Sequence, residues 1–167
     1  MKARQRHFVR KDEIAEIKET LRNHYSEKFI NAVFPEKCKV EIIITEEDDK
    51  LYAVNNELAL WKSGGNYIPV LTLLLDNRVG LKSVIVDMGA VKFVTNGADI
   101  MRPGIVKIDS EIKKGNIVRI ADVEHNRTLA VGEALYNADK MEEMKKGKVI
   151  KNLHTIQDSV WDFAKNF

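Results

Sequence analysis

Val84-Ile85-Val86-Asp87-Met88-Gly89-Ala90-Val91-Lys92-Phe93-Val94-Thr95-Asn96-Gly97-Ala98-Asp99-Ile100-Met101-Arg102-Pro103-Gly104-Ile105 passes from strand to glycine turn to short helix, then to a second strand and a proline turn. The β-branched triplet at 84–86 predicts a buried strand. Asp87 is placed to cap the helix through the backbone N–H groups of its first turn. Val91, Val94 and Ala98 are expected on the core side, and Gly97 ends the helix after barely two turns. Amides 89–91 would then lack partners inside the helix, which suits a phosphate, with Lys92 adding charge beside them. The same residues also fit a structural reading, in which Gly89 permits tight packing and Lys92 only solubilises. Pro103 and Gly104 make a rigid turn that would hold Arg102 ready for a phosphate or a base edge.

Downstream, glycines at 104, 115, 132 and 147 separate short β-branched runs such as 117–120 and 129–131, the pattern of a small barrel or sandwich. Residues 138–146 predict one short helix. Upstream the texture differs. Ile14, Ile17, Leu21, Tyr25, Phe29 and Val33 recur at three and four, predicting one helix from an Asp12 cap to Pro35. Residues 39–45 read as a strand and the acidic run 46–49 as a turn. Asn55-Asn56 joins 51–54 to 57–61 as a hairpin, since asparagine tolerates the positive φ such turns need. Gly64-Gly65 breaks the pattern, and Pro69 suits the first turn of a helix through Leu75. The change falls at 80–83. The fold class is therefore α+β, with an α+β domain over 1–82 and a mostly β domain over 83–167.

Composition supports a packed protein and narrows the chemistry. The chain has 167 residues, 44% hydrophobic and 31% charged, and a net charge of +2 from 27 basic and 25 acidic residues. No apolar run reaches membrane-spanning length and no signal peptide is evident, so a cytoplasmic protein without membrane association is expected. One cysteine, Cys38, excludes an internal disulfide, and with four scattered histidines it argues against a metal site. No cofactor motif occurs. Charge is local: Lys2, Arg4, Arg6, Arg10 and Lys11 precede the first acid, Asp12, and read as a free basic arm able to clamp phosphates. Catalytic options are few. Asp87 suits a cap better than a general base, His125 sits in a hairpin loop, and His154 reads as a satisfied structural histidine. Asp12, Asp48, Asp49 and Asp76, the aspartates of the first half, stand in capping, turn or helix-end contexts.

The stretch 86–105 resembles the opening of a PUA domain, the RNA-binding module of pseudouridine synthases and archaeosine transglycosylases. Lys114-Gly115-Asn116-Ile117-Val118, Ala130-Val131-Gly132-Glu133-Ala134, Lys146-Gly147-Lys148-Val149 and the ending from His154 to Trp161 follow in order. Val54-Asn55-Asn56-Glu57-Leu58 and Tyr67-Ile68-Pro69-Val70-Leu71 resemble the N-terminal domain fused to it in the malignant T-cell-amplified-sequence family. The resemblance implies a PUA pseudobarrel over 83–167. It also implies RNA on the face of Gly89, Ala90, Lys92, Asn96, Gly97, Arg102, Pro103 and Gly104. A non-catalytic translation factor follows, acting at the small ribosomal subunit on tRNA or rRNA, with a second translation factor as a possible partner. The alternative is a recognition subunit or accessory protein of an RNA-modification enzyme.

Overall fold

The structure, a computed structural model, describes residues 1–75 and 79–167. These cluster into two compact units, Met1–Gly80 with Ser159–Phe167, and Leu81–Asp158. Asp76 lies outside the described residues. Among the described residues no helix is long and apolar enough to cross a membrane.

The first unit is an antiparallel meander in chain order: β1 (Ala3–Phe8), β2 (Val40–Thr45), β3 (Lys50–Val54), β4 (Glu57–Ser63) and β5 (Asn66–Pro69). Asn55 and Asn56 both take positive φ, 51° and 69°, between β3 and β4, as a tight hairpin demands. Pro69 closes β5 rather than opening a helix, and α3 (Leu71–Leu75) follows.

The single N-terminal helix expected from spacing is two helices, α1 (Lys11–Leu21) and α2 (Glu27–Val33). Ser26 starts the second by accepting from the Phe29 N–H at 3.1 Å. Periodicity survives the break because both helices bury one face, and Tyr25 stacks on Phe29 across it at 4.3 Å. The Tyr25 hydroxyl donates to the Tyr67 carbonyl at 2.6 Å, and burial raises its pKa. Asp12 lies in the first turn of α1, and Arg10 takes the cap position.

The basic arm is also corrected. Residues 3–8 form β1, an edge strand paired with β2, rather than a free tail. Arg4 donates to Asp48 at 2.6 Å, Arg6 makes a two-pronged bond to Glu41 at 2.7 and 2.9 Å, and Arg10 bonds Glu13 at 2.9 Å. Lys2 and Lys11 are exposed. The last helix, α6 (Ser159–Lys165), packs on α3 in this first unit, although the sequence pattern places it with the second.

The second unit is a nearly closed pseudobarrel built from β6 (Ser83–Val86), β7 (Ile100–Met101), β8 (Ile105–Ile108), β9 (Ile117–Asp122), β10 (Thr128–Ala134) and β11 (Lys148–Thr155). Strand order is β7-β11-β10-β9-β6-β8, antiparallel except for the parallel pair β6 and β9. Two helices belong to it, α4 (Met88–Thr95) and α5 (Ala138–Glu143). Val84, Val86, Ile120, Ala130, Met141 and Ile150 fill the interior. Gly132 sits beside a register shift in β10, where a Cβ would lie 2.5 Å from Ile150 Cγ2 and 2.8 Å from the Lys151 carbonyl oxygen.

Asp122 closes the β9–β10 turn. Its carboxylate accepts from the N–H groups of His125 at 2.7 Å and Arg127 at 3.0 Å. The His125 amide, then that of Arg127, hold its pKa below the ordinary aspartate value against the opposing effect of burial. A depressed folded-state pKa means stabilisation that is complete above the unfolded value of about 4 and is lost as pH falls through the folded value. Asp122→Asn is therefore expected to lower stability at neutral pH and to flatten the acid limb of the stability curve. Denaturant titrations from pH 7 down to acid check this, and parallel curves for the two proteins would exclude the role.

Candidate nucleic-acid interface

Helix α4 exists because both of its ends are closed. Asp87 Oδ1 accepts from the Ala90 N–H at 2.9 Å, so the expected cap is present. The same bond takes one of the three amides expected to be open to a phosphate. At the other end Gly97, with φ +90°, donates to the Val94 carbonyl and Ala98 to the Phe93 carbonyl, both at 3.0 Å. That is the Schellman closure, which requires a left-handed residue just past the helix. Val94 and Thr95 are buried, and Ala90 and Val91 pack on the core. Ala98 is exposed, contrary to the spacing, because it lies beyond the last helical turn.

Neighbouring strands then fix this helix. The Asn152 side-chain amide donates to the carbonyls of Val94 and Ala98, both at 3.0 Å, and its backbone N–H donates to Asp99 Oδ1. Gly104 accepts from the Asp87 N–H at 2.9 Å, and a Cβ on it would come within 3.2 Å of Ala90 Cβ. Close approach of the turn 102–104 to the start of α4 therefore favours glycine there. Gly89 has no comparable crowding, since its nearest contact would be Asp87 Oδ1 at 3.4 Å. Lys92, Phe93 and Asn96 remain on the exposed side.

Arg102 departs from the sequence reading. Its side chain is turned inward and is 17% exposed. Nε donates to the Met141 carbonyl at 2.6 Å and Nη1 to the Ile105 carbonyl at 3.2 Å, with Glu142 at 3.6 Å from Nη2. A guanidinium with these partners ties α5 to the turn before β8 and presents little to a phosphate. The rigid turn does hold it, but toward the protein.

The fold instead brings up cations that the residue-by-residue reading left out. The Arg102 N–H donates to the Gly147 carbonyl at 2.8 Å, and Lys148 stands opposite Met101 in the β7–β11 ladder. The lysine run at 145, 146 and 148 is thereby set beside 101–102, exposed throughout, with Lys148 also 3.3 Å from Asp99. Its signal in the sequence was the run Lys-Lys-Gly-Lys itself. Met88, Phe93 and Met101 are exposed apolar side chains of the same unit. Lysines with exposed apolar and aromatic groups suit a ligand that has both phosphates and stacking surfaces.

The remaining candidates for chemistry have structural partners. His154 is fully buried in β11 with Nδ1 2.6 Å from Asp158 Oδ2, which also accepts from the Thr155 N–H. Among the described residues no group of three or more His, Cys, Asp or Glu side chains could hold a metal ion.

A pseudobarrel with a short capped helix of this kind is the fold of a PUA domain. Residues 82–156 match the PUA domain, and residues 5–77 match a domain of unknown function, DUF1947. An uncharacterized protein of Methanocaldococcus jannaschii is 40% identical over 163 residues, covering 98% of this chain and 99% of that one. Translation machinery-associated protein 20 of Saccharomyces cerevisiae is 31% identical over 144 residues, 83% of this chain and 80% of that one. Malignant T-cell-amplified sequence 1-B of Xenopus laevis is 32% identical over 139 residues, 81% and 77% of the two chains. A solved hypothetical protein of Pyrococcus horikoshii superposes with a TM-score of 0.82 at 29% identity, over 96% of this chain and 99% of that one. The chain belongs to the malignant T-cell-amplified-sequence family, which includes translation machinery-associated protein 20.

Proposed function

We propose that this protein is a non-catalytic RNA-binding factor of the translation machinery, working in the cytoplasm and engaging tRNA or rRNA at the small ribosomal subunit. The observation that carries the reading is the PUA-type unit in which the turn 102–104 is bonded both to the start of the capped helix α4, through Asp87, and to the exposed lysine run, through Gly147. The names of the yeast and Xenopus relatives support the link to translation. A binding role is supported by the carboxylates themselves: Asp87 caps a helix, Asp122 closes a turn, and Asp158 holds His154. On this unit, Lys92, Lys145 and Lys146 contact phosphates. Gly89, Ala90, Asn96, Gly97, Pro103 and Gly104 shape the surface on which RNA lies. Arg102 supports that surface from behind. The two units act as modules, the second carrying RNA and the first open to a second translation factor.

The test is RNA binding by the variant with Lys92, Lys145 and Lys146 all changed to alanine, using a tRNA and a small-subunit rRNA fragment at several salt concentrations. Loss of three phosphate contacts is expected to reduce the salt slope by about two to three units. Thermal unfolding should be nearly unchanged, because all three side chains are exposed. An unaltered slope for both RNAs would remove these lysines from the interface.

A further inference from the structure

Helix α6 turns an unusual face toward β1 and β2. Asp162 and Asn166 form one ridge and Phe163 and Phe167 the next, across a cleft of about 560 Å3 from Arg6 and Ile43. A helix that only packs on a sheet presents apolar side chains, aromatic or aliphatic, at these spacings, without a polar ridge facing the same cleft. Here carboxylate and amide run beside two aromatic rings, and the volume is that of a small-molecule site.

The geometry is selective for a flat ligand. The Phe163 and Phe167 rings lie 6.0 Å apart at 42°, and the Arg6 guanidinium sits 5.0 Å over Phe167. Two parallel bonds to Glu41 fix the plane of that guanidinium and balance its charge. Arg6 is thus a flat wall rather than a phosphate ligand. Asn166 commits one of its two amino hydrogens to the Asp162 backbone carbonyl at 2.7 Å and also offers its carbonyl oxygen, while Asp162 is acceptor-only. Asp162 offers carboxylate oxygens on the same ridge, with Lys165 at 3.4 Å. Two acceptors beside a ring face recognise a planar group that carries amino donors on its edge.

We propose that this cleft binds a nucleobase bearing an exocyclic amino group, stacked on Phe163 with its amino edge on Asp162 and Asn166. Adenine, cytosine and guanine carry such a group and uracil does not. The base belongs to a free nucleotide or to an RNA strand. Only the choice of RNA as source rests on the function proposed above.

The test follows the Asn166 side-chain amide and the Phe163 ring by NMR in the full chain, titrated with AMP, CMP and UMP, then with oligo(A) and oligo(U). AMP and CMP are expected to shift both signals and to bind about fivefold more tightly than UMP, the value of one added hydrogen bond. Phe163→Leu should weaken AMP about tenfold through lost stacking. Asp162→Asn, at an exposed position that spares the fold, should bring UMP level with AMP, because an amide can donate to the uracil carbonyl. Oligo(A) binding more tightly than AMP would identify RNA as the source, and equal binding a free nucleotide. Equal binding of UMP and AMP by the unaltered protein, or no shift on α6 with any of these probes, overturns the proposal. RNA binding confined to residues 88–104 and 145–148, with AMP still shifting both signals, would assign the cleft to a free nucleotide and leave the proposed function standing. Shifts on α6 together with an unchanged salt slope in the triple-lysine variant would keep the cleft and remove the proposed function.

Discussion

Gly132→Ala is expected to be the most damaging single methyl that can be added to the second unit. The new carbon would meet Ile150 Cγ2 at 2.5 Å, the Lys151 carbonyl oxygen at 2.8 Å and Ile120 Cδ1 at 3.0 Å. A side-chain end can rotate away, but a backbone oxygen within the β10–β11 ladder moves only with its strand. Overpacking of this kind costs about 2–3 kcal/mol. In a unit of this size that corresponds to a fall of about 10 °C or more in melting temperature. Gly80→Ala is the control, since a methyl there meets nothing within 4 Å and φ is not positive. Denaturant unfolding of both variants measures the difference, and two equal midpoints would show that the strands separate freely at Gly132.

Arg102→Ala is expected to act on the fold and to leave the pattern of RNA contacts intact. Removing the guanidinium takes a charged donor from the Ile105 carbonyl and from the Met141 carbonyl, which keeps only the longer bond from the Met144 N–H at 3.2 Å, a loss of about 2–3 kcal/mol. Arg102→Lys should recover little, because one ammonium cannot reproduce the fork that spans two carbonyls. Unfolding midpoints together with the RNA salt slope decide the matter. If Arg102→Ala is as stable as the unaltered chain and its slope falls by about one unit, the side chain is a phosphate ligand after all.

How far the sequence could be read follows from where side-chain patterns are local. The Asn55-Asn56 hairpin and the Asp87 cap were legible because each depends on residues within a few positions of one another. The same holds for Gly97 as the end of α4. Strand β1 was not, because all six of its side chains are exposed and neither face yields an alternation of apolar with polar. The break between α1 and α2 was hidden because Tyr25 and Phe29 keep the helical spacing while Ser26 restarts the backbone. For the candidate interface, Lys92 could be read from its own helix. The fate of Arg102 could not, since its partners lie as far off as Met141 in the chain. The neighbouring lysines at 145–148 depended on the same long-range pairing.

The return of α6 to the first unit also sets an order in time. A chain made from its N-terminus releases the meander of the first unit before the second unit, yet Ser159–Phe167, which complete that first unit, emerge only after the whole second unit has been made. The meander pairs each strand with its sequence neighbour and can assemble early, whereas β6 must wait for β9 before its parallel edge is covered. The earliest unit to form is thus the latest to be finished, and a ribosome that stops short of Ser159 releases a protein whose second unit is entire and whose first is not.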